Sequence, residues 1–199
     1  DPFRVIKGYG EASRLMKSLK PDVVFSKGGF VSVPVVMAAK NHRIPAIIHE
    51  SDMTPGLANK LCIPSAAKIC CNFLEAMEHL PKGKAVLTGT PIRQELFHGN
   101  PLDAIQFTGL QANKPTILVI DGRTGSVRVN EAVQECLDEL LKTYQIIHLC
   151  GKGKLDIAYE HRDGYVQYEY IKKELSSLLA LADIVISRAG ANAICELQA

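Results

Sequence analysis

The chain has 199 residues, of which 47% are hydrophobic and 22% are charged, and its formal net charge is +2. This composition is typical of a globular protein with one large or two small domains, and the chain shows no repeat or low-complexity tract. No apolar run approaches the roughly 18 residues that a membrane-spanning helix needs, so we expect no such helix. The six cysteines have neither zinc-ligand nor redox-motif spacing, and we expect most of them to be buried.

Charge is distributed unequally along the chain. Residues 1–90 carry 12 Lys and Arg against 7 Asp and Glu, a net charge of +5, whereas residues 91–199 carry 11 against 14, a net charge of −3. A basic first half suits an anionic surface such as phospholipid headgroups, or a diphosphate. A solvated basic face without a ligand is equally consistent with it.

The first 90 residues open with a helical stretch and then alternate short apolar runs with helices. Strands are predicted at residues 23–25, 46–48, 68–71 and 85–87, and helices at 31–41 and 56–63. Residues 88–100 are rich in turn-forming residues, which predicts a break between two folding units.

A second unit of the same kind begins at Lys114. Strands are predicted at residues 116–120, 146–149, 165–167 and 184–186, and helices after the loop 121–125 up to residue 143, at 173–182 and from 189 onward. Short apolar strands that alternate with helices predict parallel sheets with helices on both faces. The expected fold class is therefore α/β, with two incomplete Rossmann-like parallel-sheet domains at residues 1–90 and 114–199 and a linker at 91–113.

A polar block follows the second predicted strand. The apolar run ends abruptly in His49, Glu50, Ser51 and Asp52, and Asn59 lies in the helix behind a Pro-Gly start. In parallel α/β proteins ligands bind at the carboxyl ends of the strands, so the His-Glu pair is placed for substrate contact. These residues are also consistent with ordinary polar strand ends.

A glycine loop follows the first predicted strand. Gly28 and Gly29 precede Phe30, and glycine permits positive φ and close backbone approach. The N-terminus of the next helix offers N–H groups to an anion, although a simple tight turn is the commoner meaning of Gly-Gly.

The second unit carries two further glycine turns. Gly125 and Ser126 end the loop 121–126, where a hydroxyl and backbone N–H groups at a helix N-terminus can hold phosphates. Gly190 and Ala191 begin the last helix, and Glu196 lies one to two turns further along it. Taken alone, Glu196 would be an exposed helix glutamate.

An arginine and an aromatic-aliphatic pair complete the set of motifs. Arg93 ends the turn-rich residues 88–93, and its guanidinium suits a diphosphate unless it only caps a surface turn. Tyr170 and Ile171 lie in a segment that is also consistent with an edge of the core.

In this order and spacing, the motifs resemble the MurG family of bacterial peptidoglycan N-acetylglucosaminyltransferases. The resemblance covers essentially the whole chain, although proteins of that family are nearly twice as long. It implies the GT-B architecture of two Rossmann-like domains with a cleft between them. It also implies inverting transfer of N-acetylglucosamine from UDP-N-acetylglucosamine to undecaprenyl-diphosphoryl-N-acetylmuramyl-pentapeptide.

The resemblance also implies roles for particular residues. His49 and Glu50 would be catalytic, by contacting the acceptor or assisting the base. The acceptor-side residues would be Gly28, Gly29, Phe30, Asp52 and Asn59. The donor-binding residues would be Arg93, Arg123, Gly125, Ser126, Ile171, Gly190, Ala191 and Glu196.

One loop departs from the family pattern. Asp121 and Arg123 stand where the family normally has glycine and serine. A carboxylate near a diphosphate is repulsive, and Arg123 can offset it or bind phosphate itself. Donor binding through this loop is therefore open at the level of sequence.

The resemblance further implies a place in the cell and a set of partners. We expect peripheral attachment to the cytoplasmic face of the bacterial membrane, through anionic phospholipid, the basic first half and Phe3, Val5 and Ile6. These three apolar residues can equally be core. The partners would be the UDP-sugar donor and the lipid-linked acceptor, without nucleic acid and without a cofactor. We expect no metal, because the chain has no Asp-x-Asp motif that would hold a metal-bridged diphosphate.

Two other interpretations stay open. The chain can be another GT-B enzyme, such as a glycolipid glycosyltransferase or a UDP-N-acetylglucosamine 2-epimerase, which donor selectivity would settle. It can also be a degenerate module that binds nucleotide without turnover. An NAD-binding protein is disfavoured because no G-x-G-x-x-G motif follows a strand.

Overall fold

The computed structural model describes residues 2–122 and 124–199, with side chains from Val5 onward. The chain divides into two compact units, Asp1–Pro91 and Ile92–Ala199. Each unit is an α/β fold built on a four-stranded parallel sheet, as the sequence predicts.

The first unit has a sheet in the order β1-β2-β3-β4, in which every strand is parallel to its neighbour. Its elements are α1 (Pro2–Leu19), β1 (Val24–Ser26), α2 (Ser32–Asn41), β2 (Ala46–Glu50), α3 (Leu57–Cys62), β3 (Lys68–Cys71), α4 (Leu74–Glu78) and β4 (Ala85–Leu87). The core is formed by fully buried apolar side chains that include Val36, Ile48 and Ile69. Because all four strands run the same way, their carboxyl ends share one edge.

The second unit has its sheet in the order β7-β6-β5-β8, again entirely parallel. Its elements are α5 (Pro101–Thr108), β5 (Thr116–Ile120), α6 (Val127–Glu135), α7 (Leu137–Thr143), β6 (Gln145–Leu149), β7 (Tyr165–Tyr168), α8 (Leu175–Leu181), β8 (Ile184–Ile186) and α9 (Ala191–Leu197). Alternate residues of β5 feed two cores, since Leu118 packs with Leu178 of α8 and Val119 packs with Val133 of α6. Both faces of the sheet are therefore covered by helices.

The predicted strands are confirmed to within two residues at each end, and the differences have local causes. β2 continues through His49 and Glu50, so these residues belong to the strand rather than to the loop after it. The helix predicted up to residue 143 is interrupted at Cys136, whose φ of −105° is not helical. The sequence predicts a linker at residues 91–113, whereas the structure has the helix α5 within it: Asn100 caps α5, Pro101 begins it and Gly109 ends it with a φ of +72°.

The structure tests two expectations drawn from composition, that most cysteines are buried and that no helix spans a membrane. Only Cys62, Cys71 and Cys150 are buried, whereas Cys136 is exposed, so the expectation that most cysteines are buried is wrong. Throughout the described part of the chain, no helix is both long enough and apolar enough to cross a membrane.

Candidate functional site

Glu50 ends β2 at the carboxyl edge of the first sheet, and only 3% of it is exposed. Its carboxylate accepts hydrogen bonds from the backbone N–H groups of Asp52 at 2.9 Å and Gly56 at 3.1 Å, and from Asn59 Nδ2 at 2.8 Å. Both oxygens are thus occupied, so Glu50 closes the turn of residues 51–56 onto the strand. The Asp52 side chain itself is exposed.

His49 is equally buried and is held between two groups of the same unit. Its Nε2 lies 3.3 Å from Gly89 O, which only accepts, so Nε2 carries the proton and donates it. Nδ1 is left as the acceptor for Lys27 Nζ at 3.4 Å. Burial lowers the pKa of His49 below its ordinary value of 6.5, although the hydrogen bond to Gly89 opposes that shift. The imidazole is therefore neutral at pH 7, with both nitrogens engaged.

Asn59 links this strand end to the glycine loop. Its Nδ2 donates to His49 O at 3.2 Å as well as to Glu50, while its buried Oδ1 accepts no hydrogen bond from any residue that the structure describes. A Cβ on Gly28 would lie 3.4 Å from Asn59 Nδ2, so the amide sits directly against the loop. A water, or a hydrogen-bond donor of a ligand, that reaches this point could donate to Asn59 Oδ1.

The glycine loop requires both of its glycines. Gly28 and Gly29 have φ angles of +92° and +86°, a region that other residues enter only with strain. Ser26 Oγ accepts the Gly28 N–H at 3.1 Å. Lys27 is exposed and Phe30 is 53% exposed, so the loop presents a cation and an aromatic ring to solvent.

The carboxyl edge of the second sheet has a topological switch point. β6 and β7 lie on one side of β5 and β8 lies on the other, so the strand order reverses between β5 and β8. Ligands of open parallel sheets bind in the crevice that such a reversal creates. The β5–α6 loop (residues 121–126) and the turn at residues 187–190 both lie at this point.

Asp121 is neutralised by a residue that the sequence interpretation did not select. Arg188 Nε donates to Asp121 Oδ1 at 2.5 Å; the Asp121 side chain is 7% exposed and that of Arg188 is 62% exposed. Arg123, which was expected to offset Asp121, lies outside the described residues. The carboxylate at the position where the family normally has glycine is therefore paired with a cation from the turn after β8.

Gly125 and Ser126 form the junction between the β5–α6 loop and α6. Gly125 has a φ of +62°, and Ser126 is the N-cap of α6, with its Oγ accepting the Val129 N–H at 3.4 Å. A hydroxyl that accepts in this way still has its own proton to donate. The junction can thus offer a hydroxyl and helix N–H groups to an anion.

Arg93 and Glu196 meet within the second unit. Arg93 Nη2 lies 3.4 Å from Glu196 Oε1, and their side chains are 44% and 34% exposed. The long distance and the exposure make this a weak pair that a ligand can displace. Gly190 caps α9 with an ordinary φ of −62°, and the positive φ of the turn falls on Ala189 instead, at +53°.

A cavity of about 370 Å³ opens beside Arg93. Lys172 and Lys173 also line it, against the single carboxylate of Glu95. The excess of positive charge suits an anionic ligand.

Ile171, which is predicted to bind the donor, has its side chain in the core of the second unit. Only 5% of it is exposed, and it packs in the core cluster that contains Leu175 and Leu178. Its side chain is consequently unavailable to a ligand at the surface, whereas the neighbouring Tyr170 is half exposed.

Three cations near the two edges were missed by the sequence interpretation. Lys27 directly precedes the glycine pair, and Arg188 lies two residues before Gly190, so position beside a motif was an available signal. Lys154 donates to Thr124 O at 2.8 Å across 30 residues, and nothing in the local sequence marks it.

Two parallel α/β units, each with polar loops at the carboxyl edge of its sheet, match the GT-B class of folds. The chain belongs to glycosyltransferase family 28, since the model of that family's N-terminal domain matches residues 1–71 and the model of its C-terminal domain matches residues 116–199.

Curated relatives match along all 199 residues. The UDP-N-acetylglucosamine--N-acetylmuramyl-(pentapeptide) pyrophosphoryl-undecaprenol N-acetylglucosamine transferases of Lachnoclostridium phytofermentans, Lachnospira eligens and Clostridium botulinum (strain Loch Maree) are 66%, 61% and 54% identical to it. The chain spans 56% of the length of each.

Solved structures of similar fold include a transferase and an epimerase. The crystal structure of Acinetobacter baumannii MurG has a TM-score of 0.68 at 28% identity, over 98% of this chain and 55% of that one. The UDP-GlcNAc 2-epimerase of Neisseria meningitidis, bound to UDP-GlcNAc, has a TM-score of 0.60 at 14% identity, over 94% of this chain and 60% of that one. At that identity the epimerase shares the fold alone.

Proposed function

We propose that the chain is the central portion of an inverting N-acetylglucosaminyltransferase. The enzyme would transfer N-acetylglucosamine from UDP-N-acetylglucosamine to undecaprenyl-diphosphoryl-N-acetylmuramyl-pentapeptide, which forms the lipid-linked precursor of peptidoglycan. The observation that carries the proposal is the 66% identity to a transferase of that name along the whole chain, because this span includes the loops at both carboxyl edges.

The donor would bind at the switch point of the second unit. The N–H groups and the Ser126 hydroxyl at the start of α6 suit the diphosphate, and Arg93 with the lysines beside it adds positive charge. Glu196 would accept the ribose hydroxyls after exchanging its weak pair with Arg93 for them. These groups also stabilise the negative charge that develops on the UDP leaving group.

The acceptor would bind at the edge of the first unit. Lys27 offers an exposed ammonium to the acceptor diphosphate, and Gly28 and Gly29 permit close backbone approach. Asn59 Oδ1 supplies a buried acceptor next to this loop, and the exposed Asp52 lies on the turn that Glu50 closes.

His49 and Glu50 would act on the acceptor through the groups that they hold. The neutral imidazole of His49 accepts from Lys27 and so orients the cation of the glycine loop. Glu50 fixes the turn of residues 51–56. We therefore propose both as positioning residues rather than as the base that takes the acceptor proton.

Membrane contact would be peripheral and would use anionic phospholipid of the cytoplasmic face. Ile6 and Leu19 of α1 are 69% and 70% exposed and share the helix with Lys7 and Lys17. An exposed helix that mixes apolar and basic residues favours such a surface. Val5 is half-buried, and the Phe3 side chain lies outside the described residues.

Calorimetric titration of the chain with UDP-N-acetylglucosamine tests the donor half of the proposal. UDP-N-acetylgalactosamine and NADH serve as controls for sugar and nucleotide selectivity. We expect binding of UDP-N-acetylglucosamine alone or in clear preference. Equal binding of the two UDP-sugars, or no binding by a cooperatively folded chain, would contradict the proposed donor site.

A further inference from the structure

The β5–α6 loop touches the turn at residues 150–154, which follows β6, backbone to backbone. A Cβ on Gly125 would lie 1.9 Å from Cys150 O, and a Cβ on Gly151 would lie 2.3 Å from Thr124 O. Both glycines also have positive φ angles, +62° and +95°. No side chain fits between the two segments, so the turn forms a fixed wall behind the loop.

Lys154 stabilises this contact between the β5–α6 loop and the turn at residues 150–154. Its Nζ donates to two consecutive carbonyl groups of the loop, Thr124 O at 2.8 Å and Gly125 O at 3.2 Å. Lys152, in the same turn, is exposed and makes no such hydrogen bond to any described residue. The two lysines therefore differ in contact while sharing charge and neighbourhood.

The carbonyl contacts determine where the loop's N–H groups point. In a planar trans peptide, the C=O and the N–H of the next residue point in opposite directions, and the described chain contains no cis peptide bond. With the carbonyls of Thr124 and Gly125 turned toward Lys154, the N–H groups of Gly125 and Ser126 turn away from it. Neither N–H donates to an acceptor among the described residues. An ammonium at the carbonyl end also polarises each peptide and strengthens its N–H as a donor.

The turn that carries Lys154 is itself held in place. Gly153 N–H donates to Glu169 Oε1 at 2.8 Å, and Cys150 O accepts from Asn130 Nδ2 at 2.9 Å. Asn130 is in turn bound through its Oδ1 to the fully buried His148 at 3.0 Å. Lys154 therefore binds the loop from a turn whose own position is fixed by hydrogen bonds.

We propose that Lys154 is a positioning residue of the donor site. By binding the carbonyl groups of Thr124 and Gly125, Lys154 orients the N–H groups of Gly125 and Ser126 toward the diphosphate of the nucleotide. The inference rests on the proposed function for the identity of the ligand. It gives a role at the nucleotide site to a side chain that touches no nucleotide.

The affinity test compares three variants of the chain. Lys154→Met removes the ammonium and keeps an unbranched apolar side chain, Lys154→Arg restores the cation, and Lys152→Met makes the same charge change without the contact. Calorimetry with UDP and with uridine separates diphosphate from base and ribose. We expect Lys154→Met to weaken UDP binding about tenfold, because the N–H groups of Gly125 and Ser126 would no longer be held in place to donate hydrogen bonds to the phosphates. Uridine binding should be unchanged.

The controls decide whether the loss is specific. Lys154→Arg is expected to recover most of the UDP affinity, and Lys152→Met to bind like the wild type. Equal UDP affinities of Lys154→Met and Lys152→Met would overturn the inference. A parallel loss of uridine affinity would also overturn it, because a general distortion of the unit and not the N–H donors would then be responsible.

A second readout does not depend on nucleotide binding. Residual dipolar couplings of the Gly125 and Ser126 N–H bonds report the direction of those bonds in the free chain. They are expected to change in Lys154→Met and to match the wild type in Lys152→Met and Lys154→Arg. Unchanged couplings in Lys154→Met would overturn the inference. Absence of UDP binding by the wild type would instead overturn the proposed function, and the couplings would then decide the role of Lys154 alone.

Discussion

The carboxyl edges of the two sheets use charged residues in opposite ways. At the first edge, Glu50 is buried and spends both carboxylate oxygens on the turn that follows it. At the second edge, Arg93 and Glu196 remain partly exposed in a long pair that a ligand can replace, and Arg188 is exposed beside the buried Asp121. The buried charge of the first edge therefore fixes the shape of a turn, whereas the Arg93–Glu196 pair and Arg188 at the second edge stay accessible to a ligand.

This difference follows from the balance of desolvation and pairing. A buried carboxylate is tolerated only when donors satisfy it, and removing those donors or the carboxylate is costly. An exposed ion pair contributes little to stability, so exchanging it for a ligand contact is nearly free. Buried charged residues are therefore expected to position other groups of the protein, whereas exposed charged residues are expected to bind a ligand.

Among the substitutions at the second edge, we expect Gly125→Ala to destabilise the chain most. We expect the free energy of unfolding to fall by about 4 kcal/mol, because a Cβ would collide with Cys150 O and the φ of +62° is strained for alanine. Gly122→Ala has the same positive φ with open space around its Cβ, and should cost only about 1 kcal/mol. Urea unfolding measures both, and equal costs would show that the backbone contact carries no energy.

At the first edge, Glu50→Gln leaves the shape but replaces one acceptor oxygen with a donor. We expect a loss of about 3 kcal/mol in urea unfolding at neutral pH, since N–H groups that faced the carboxylate are left facing an amide. The exposed Glu78→Gln makes the same chemical change and should have almost no effect. A stable Glu50→Gln chain with lost activity would instead make Glu50 a reacting group.

A pH titration of stability probes the polar network behind the second edge. Burial lowers the pKa of His148 from 6.5 to about 4, so the unfolded chain binds a proton that the folded chain refuses. Stability should therefore fall as pH drops from neutral toward pH 4, by about 3 kcal/mol from this residue, and the lowered pKa of His49 acts in the same direction. His148→Gln should flatten the slope of unfolding free energy against pH, while the exposed His79→Gln should not. An unchanged slope in His148→Gln would contradict this assignment.

The smallest expected effect comes from Asp121→Asn. Removing the carboxylate takes a negative charge from the proposed nucleotide site and frees Arg188, so UDP should bind about threefold to tenfold more tightly. Asp163→Asn, an equal charge change at an exposed residue, serves as the control in calorimetry. Weaker binding by Asp121→Asn would mean that Asp121 orients Arg188 for the ligand rather than restraining it.

Periodicity and turn chemistry predicted most of the fold. The strands are short apolar runs between glycine or proline turns, and those signals are local. The helix α5 was missed because Asn100 and Pro101, which cap and begin it, are also turn residues. The break at Cys136 has no marker in a continuously helical sequence.

The site was predictable only where its residues lie within one motif. Asp121 and Arg188 are 67 residues apart and meet because β5 pairs with β8, a register that no local pattern encodes. The role of Glu50 depends on a turn that folds back onto its own strand, which spacing alone does not reveal. Ile171 is predicted to bind the donor, but the sequence does not show that its side chain packs in the core, because a motif records position and not side-chain direction.

We propose that the nucleotide binds at the second edge and leaves the turn of the first edge unchanged. ¹H–¹⁵N correlation spectra of the chain, recorded during addition of UDP-N-acetylglucosamine, measure this residue by residue. We expect the signals of Gly125, Ser126 and residues 187–196 to shift and those of residues 51–56 to stay in place. Shifts confined to residues 26–30 and 49–59, or none in a folded chain, would contradict it.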